Sequence, residues 1–333
     1  MTVQHFGDMP DGCAVQAITL AAHGLRLRVL TLGAILADLR LEGVGWPLVL
    51  GSAEIGAYLG PMAWFGAVVG PVANRISGAR AEIDGRVAHF EANEGPNCLH
   101  GGFSGTSAQV WRIATVAPDR VELSLDLPAG LGGFAGNRRL AAEYRITTPA
   151  TVELKITAST DAPTLMNPAH HPYWNLDGDG DTSGHWLKVA AEAYLPTTPQ
   201  GLPTGAIQSL KDDKRDLRHG RTLGGVPMLD HCYVLAGQSR ALSHVAELRG
   251  RRGVSLYLAT TAPGLQVYDG CALDTRPWVG HTGAAYSARA GLALEPQLWP
   301  DAPANPGFPS IVLHPGAAFR QLTRYRLGRT APT

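Results

Sequence analysis

The residues best suited to chemistry in this sequence are gathered in Asn167-Pro168-Ala169-His170-His171-Pro172-Tyr173-Trp174-Asn175-Leu176. An imidazole takes or gives a proton near neutral pH, and a flat aromatic ring suits the apolar face of a small ring-shaped ligand. Prolines on both sides of the histidine pair remove ladder donors and discourage helix, so a rigid loop or strand end is expected. Polar chemistry is commonly presented from such places. The alternative is a turn whose histidines satisfy backbone carbonyls. A second candidate lies in Leu292-Ala293-Leu294-Glu295-Pro296-Gln297. Glu295 follows a wholly apolar run and precedes a proline, which puts it at a strand end between core and loop. Desolvation there raises a carboxyl pKa and suits the group to act as a base. Capping of loop amides is its alternative role, and Asp301 reads as a turn residue of that kind.

Three further groups are candidates with weaker local signals. Asn74 and Arg75 set an amide beside a guanidinium, which together offer several donors to hydroxyl oxygens, although an arginine can equally be held by a structural carboxylate. His100 stands before Gly101-Gly102, where the backbone can bend sharply and a ligand can come close; a plain turn histidine fits as well. Asp230, at the start of Asp230-His231-Cys232, reads on its own as a turn former. Metal is not expected. His170 and His171 are adjacent, so their side chains diverge in a strand, and His100 is followed by glycines and not by a His-x-His pattern. Gly130-Leu131-Gly132-Gly133-Phe134-Ala135 matches a loose phosphate-loop pattern, but a strand follows it and no helix N-terminus is there to hold phosphate. Gly102-Phe103-Ser104-Gly105 has the wrong spacing for a nucleophile elbow.

The elements that must position these groups are strands. Gly (40) and Pro (24) punctuate short runs rich in Val, Leu, Ile, Thr and Tyr across the 333 residues, and helix signals are scarce. Residues 14–20, 25–32 and 37–41 read as opening strands. Asp84-Gly85 supplies the positive φ angles of a tight hairpin between residues 81–83 and 86–90. Residues 110–117 and 120–127 flank Pro118-Asp119, and residues 140–147 and 151–160 flank Pro149-Ala150, giving two more hairpins. Further strands are expected at 186–195, 232–235, 245–248, 254–261, 265–268, 291–295 and 319–325. Residues 196–227 read as an irregular surface excursion. No repeat of propeller or solenoid length is visible, so stacked antiparallel sheets are expected, with the site on their edges and loops.

The chain is 45% hydrophobic and 17% charged, enough apolar material for a substantial core. Lys+Arg and Asp+Glu are both 28, leaving no basic excess for nucleic acid or an anionic membrane. No export signal opens the chain, and the apolar run 63–73 is too short to cross a bilayer. Cys13, Cys98, Cys232 and Cys271 are far apart with no C-x-x-C pair, which points to free thiols in the cytoplasm.

In this order the pieces resemble the aldose 1-epimerase (galactose mutarotase) family over nearly the whole chain. The landmarks are Ala73-Asn74-Arg75-Ile76, Gly95-Pro96-Asn97 running into Leu99-His100-Gly101-Gly102, Gly133-Phe134-Ala135-Gly136-Asn137, the stretch from Asn167 to Leu176, Asp230-His231, Pro263-Gly264-Leu265-Gln266-Val267-Tyr268, and Leu294-Glu295 followed by Trp299-Pro300-Asp301-Ala302. The resemblance implies a single all-β domain over residues 1–333, a large antiparallel β-supersandwich with few or no helices. It implies cofactor-free interconversion of the α and β anomers of a free aldose such as glucose or galactose, by a monomer or homodimer. Carried over by position, Glu295 is the general base, His171 the general acid and His100 an assistant in proton transfer. Asn74, Arg75, Tyr173, Asp230 and Gln266 contact the sugar. The sequence departs from the family at Pro71, His170, Pro172 and Pro296, where Arg, Asn, Ser and Thr are usual. These changes flank the proposed groups and bear on substrate preference. His170 is left to touch the sugar or to pack beneath His171, and Trp174 to serve the core. Two alternatives stay open: a non-catalytic sugar-binding or regulatory domain on the same scaffold, and an epimerase for a phosphorylated or unusual sugar, which would need further Lys or Arg at the pocket.

Overall fold

Local patterning accounts for most of the strands in the computed structural model, which describes residues 1–329. Leu25–Leu30 and Arg138–Thr147 alternate between buried and open positions, as strands with one covered face must. The hairpin Arg80–Ile83 with Arg86–His89 turns on Asp84 (φ 50°) and Gly85 (φ 75°), the left-handed pair its sequence calls for. The Pro118-Asp119 and Pro149-Ala150 turns also join antiparallel partners, Arg112–Ala117 with Arg120–Leu127 and Arg138–Thr147 with Thr151–Thr160. Among the described residues helix is confined to one turn, Ile55–Tyr58, and a few three-residue 3-10 turns.

These strands assemble into the expected antiparallel β-supersandwich. A nine-stranded sheet, a six-stranded sheet and an N-terminal four-stranded sheet enclose a common core. Trp174, Leu265 and Leu294 of the six-stranded sheet, Tyr144, Leu256 and Tyr325 of the nine-stranded one, and Leu20 and Leu27 of the third belong to one apolar cluster. Two expectations need correction. The run 186–195 is not one strand: Trp186–Val189 lies in the nine-stranded sheet and Ala193–Leu195 in the six-stranded one. The chain crosses between sheets at Ala190, Ala191 and Glu192, where no β-branched or aromatic side chain holds the pleat. The strand bearing Glu295 also runs on to Gln297 and does not stop before the proline. Pro296 gives its carbonyl to the Gln321 side chain, not to a neighbouring strand, so its missing N–H falls on an unpaired side. Residues 196–227 form the expected excursion, with only the two-residue strands Gln208–Ser209 and Arg221–Thr222 in it. The edge strand Thr2–Asp8 was not anticipated; it is largely exposed and carries no strong apolar signal.

Candidate active site

Register places the site on one face of the six-stranded sheet. Tyr173 lies opposite Ala293, Glu295 opposite Gln266, and Tyr268 opposite Asp230. Residues paired in this way share a face, so Tyr173, Glu295, Gln266 and Asp230 all point away from the core. Their chain neighbours Trp174, Leu294 and Val267 point into it. The same alternation separates the two histidines. Ala169–His170 pairs with Val68–Val69; His170 enters the core, and His171 turns into the cleft with Glu295.

The opposite wall comes from two short strands, Arg75–Ile76 and Cys98–Leu99. Asn74 (φ 61°) and His100 (φ 53°) both sit in the left-handed region next to that pairing, and they bond to each other. The His100 N–H donates to the Asn74 carbonyl at 3.0 Å, and the Asn74 N–H donates to His100 Nδ1 at 3.2 Å. Nδ1 is therefore an acceptor, which leaves the proton of the neutral ring on Nε2. Burial, then the neighbouring His171 and Arg75, hold the His100 pKa well below its usual value. Gly101 must be glycine, because a Cβ there would lie 2.0 Å from the Gly70 carbonyl oxygen. Arg75 is gripped by Glu94 through two 2.7 Å hydrogen bonds, with a third charge, Asp230, 4.0 Å from Nη1. The structural-carboxylate role considered for Arg75 is thus real, yet the guanidinium still lines the cleft. Gln266 donates to Asp230 Oδ1 at 2.6 Å and fixes that carboxylate.

At the base of the cleft, His171 Nε2 lies 3.3 Å from Glu295 Oε1, and both side chains are almost wholly buried. Desolvation is the leading influence on each. It raises the Glu295 carboxyl well above its usual range, helped by Asp230 and opposed by Arg75. It lowers the His171 imidazole to about 4. Both shifts disfavour charge on the pair. Glu295 Oε2 and His171 Nδ1 have no protein partner. The His100 ring stands edge-on to His171, with centroids 5.3 Å apart. An acid–base pair with a neutral imidazole donor beside it is suited to moving a proton between two oxygens of one ligand.

The cleft encloses about 410 Å³, and all eight residues singled out in the sequence line it: Glu295, His171, His100, Asn74, Arg75, Tyr173, Asp230 and Gln266. Trp64, Phe65, Glu94, Tyr268 and Met228 line it too and were not singled out. Trp64 lies 5.0 Å from the His100 ring and Phe65 4.4 Å from that of Tyr173, so they pack behind the polar groups as well as facing the ligand space. Trp64 and Phe65 lie in an apolar run indistinguishable from core. Glu94 had one available signal, a carboxylate directly before Gly95-Pro96-Asn97. His170 does not reach the cleft lining, Trp174 is fully buried, and Asp301 is the expected turn residue, accepting the Ser77 N–H at 2.9 Å.

This fold and cleft match one class of protein, and comparison with known proteins agrees. The aldose 1-epimerase family model matches residues 16–326. The chain is 33% identical to a galactose mutarotase of Rattus norvegicus and 30% identical to an aldose 1-epimerase of Escherichia coli K12, with 96% and 95% of this chain and 96% of each relative covered. Among solved structures, an aldose epimerase homologue from C. elegans superposes with a TM-score of 0.90 at 29% identity, covering 96% of this chain and 100% of the other. A galactose 1-epimerase from Lactobacillus acidophilus gives 0.84 at 25% identity, covering 99% of each. The chain belongs to the aldose 1-epimerase family.

Proposed function

We propose that this isomerase, a mutarotase of the aldose 1-epimerase family, binds a free aldose in the cleft and exchanges its anomers with Glu295 as general base and His171 as general acid. The observation that carries the assignment is the 3.3 Å approach of Glu295 Oε1 to His171 Nε2, both almost wholly buried at the base of the cleft. Both roles need one proton on the pair, carried by His171 and not by Glu295. A sugar bridging the two groups brings a hydroxyl to the carboxylate and a ring oxygen to the imidazolium, and these hydrogen bonds favour the charged forms that desolvation alone opposes. Glu295 then takes the anomeric hydroxyl proton as the C1–ring oxygen bond breaks, and His171 protonates the leaving ring oxygen. Rotation about C1–C2 and closure on the other face reverse both transfers, so no proton is gained or lost in a turnover. Each well-placed group is worth about 10²–10⁴-fold. His100 assists as an Nε2–H donor.

Asn74, Arg75, Asp230 and Gln266 hold the remaining hydroxyls, and Tyr173 lies against the ring. The Asn74 side-chain oxygen already accepts the Arg75 N–H at 2.9 Å, so its amide nitrogen is what it offers the sugar. A phosphorylated sugar is not favoured, because among the described residues Arg75 is the only Lys or Arg on the cleft lining and Glu94 occupies it. Arg251 and Arg252 are engaged instead with Asp177 and Asp179. Every group comes from one chain, between residues 61 and 295, which supports a single domain whether it works as a monomer or a homodimer. Among the described residues no helix is long and apolar enough to cross a membrane. The free state of all four cysteines supports a cytoplasmic setting. Polarimetry tests the activity: freshly dissolved α-D-glucose or α-D-galactose should reach anomeric equilibrium faster with the protein than in buffer. Equal rates would refute it.

A further inference from the structure

Each member of the acid–base pair is tied, one residue away, to the same strand of the nine-stranded sheet. Beside Glu295, the Pro296 carbonyl accepts from Gln321 Nε2 at 2.9 Å. Beside His171, His170 Nδ1 lies 3.1 Å from the Tyr325 hydroxyl and its Nε2 3.1 Å from the Gly66 carbonyl. A carbonyl only accepts, so Nε2–H donates to Gly66 and the bare Nδ1 accepts from Tyr325. Burial keeps this ring uncharged, pulling its pKa down to about 3. The network then closes around His171. Its carbonyl accepts the Gly66 N–H at 2.9 Å, and its own N–H donates to the Ala67 carbonyl at 2.9 Å.

Gln321 and Tyr325 stand four residues apart on one strand, Phe319–Arg329, and therefore on one face. Both are buried. The strand is paired on both sides, with Thr151–Thr160 and with Val254–Thr260, so it cannot slide. Thr323, between them on the same face, satisfies its hydroxyl with Thr260 at 3.1 Å, whereas Gln321 and Tyr325 spend theirs on groups one residue from the base and the acid. Resting on the assignment of Glu295 and His171, we propose that Gln321 and Tyr325 are positioning residues that fix the separation of base and acid from behind, Tyr325 acting through His170. The departure at position 170 thereby gains a role: its ring links His171 to the opposite sheet.

Y325F removes one hydroxyl and leaves the ring packed, and Q321L removes the amide at similar volume. Each full-length variant is assayed by polarimetry well below its own melting temperature, with H171N alongside. Misplacing reacting groups by a fraction of an ångström should lower kcat about 10- to 100-fold while KM stays within about two-fold, since the sugar-holding groups are untouched. H170Q, which keeps the donor to Gly66, should retain more kcat than H170L. If H171N is inactive but Y325F and Q321L keep wild-type kcat with only a lower melting temperature, the strand is merely structural and the proposal is overturned. Retention of full rate by H171N overturns the acid assignment and the brace together, and that variant alone tells the two failures apart. Should Y325F not fold, Q321L carries the same test from the Glu295 side.

Discussion

Consider the substitution Glu295→Gln. The carboxyl is 2% exposed, its Oε1 lies 3.3 Å from His171 Nε2, and its Oε2 has no protein partner. The amide keeps the shape and an acceptor for His171 but cannot take a proton. Loss of a general base lowers the rate about 10²–10⁴-fold, or about 3–5 kcal/mol of transition-state stabilisation. Stability should move the other way. The folded carboxyl titrates above its unfolded value of 4.5, so across that window the native state holds a proton that the unfolded chain has released. Wild-type stability therefore falls as pH rises from the unfolded value through the raised folded one. The variant has no such group, so its stability relative to wild type rises with pH across that window. Polarimetry gives the rate, and urea unfolding at about pH 5 and about pH 8 gives the stability. Midpoints should nearly coincide at the lower pH and separate at the higher, with the variant above. A variant that keeps its rate refutes Glu295 as the base. One less stable than wild type at the higher pH refutes the desolvation argument.

Glu94→Gln weakens the bidentate grip on Arg75 and should raise KM about ten-fold with kcat nearly unchanged, because the proposed role of Arg75 is to hold hydroxyls remote from C1; a fall confined to kcat would place Arg75 in the chemistry itself. Acid should destabilise the fold through its buried histidines. His170, His171 and His231 are lowered from 6.5 to about 3, 4 and 4, chiefly by burial, so the unfolded chain binds protons that the native state refuses. The stability these rings contribute is complete above about pH 6.5 and is lost as pH falls toward 4; a urea midpoint that stays flat between pH 7 and pH 5 would count against it.

Strands with alternating patterns and Asp-Gly or proline-marked turns were legible in the sequence because the forces that make them act over a few residues. The residues most suited to acid–base chemistry were legible in part for a related reason: Glu295 at the end of an apolar run and the His170-His171 pair between prolines stand out locally, while the choice of His171 over His170 came from the family resemblance. Glu94, Trp64, Phe65 and Tyr268 were not, since their place in the cleft depends on pairings between segments far apart in the chain. The extension of the Glu295 strand through Pro296 was hidden likewise, because only the assembled sheet determines which side lacks a partner.

His170 and His171 mark the boundary between the two kinds of information. Strand alternation, a local property, requires the adjacent rings to diverge. It cannot determine which one meets solvent and which meets core. That choice is made by the pairing of Ala169–His170 with Val68–Val69 and of Tyr173–Trp174 with Leu292–Ala293. Trp174 then falls on the core face with His170, and Tyr173 on the cleft face with His171 and Glu295. A one-residue slip of the second pairing would put Glu295 on the same face as Trp174, so that either the carboxylate enters the core or the tryptophan enters the cleft. The apolar demand of Trp174, Leu292 and Leu294 forbids that slip, so the core side chains select the register and the register assembles the acid with its base.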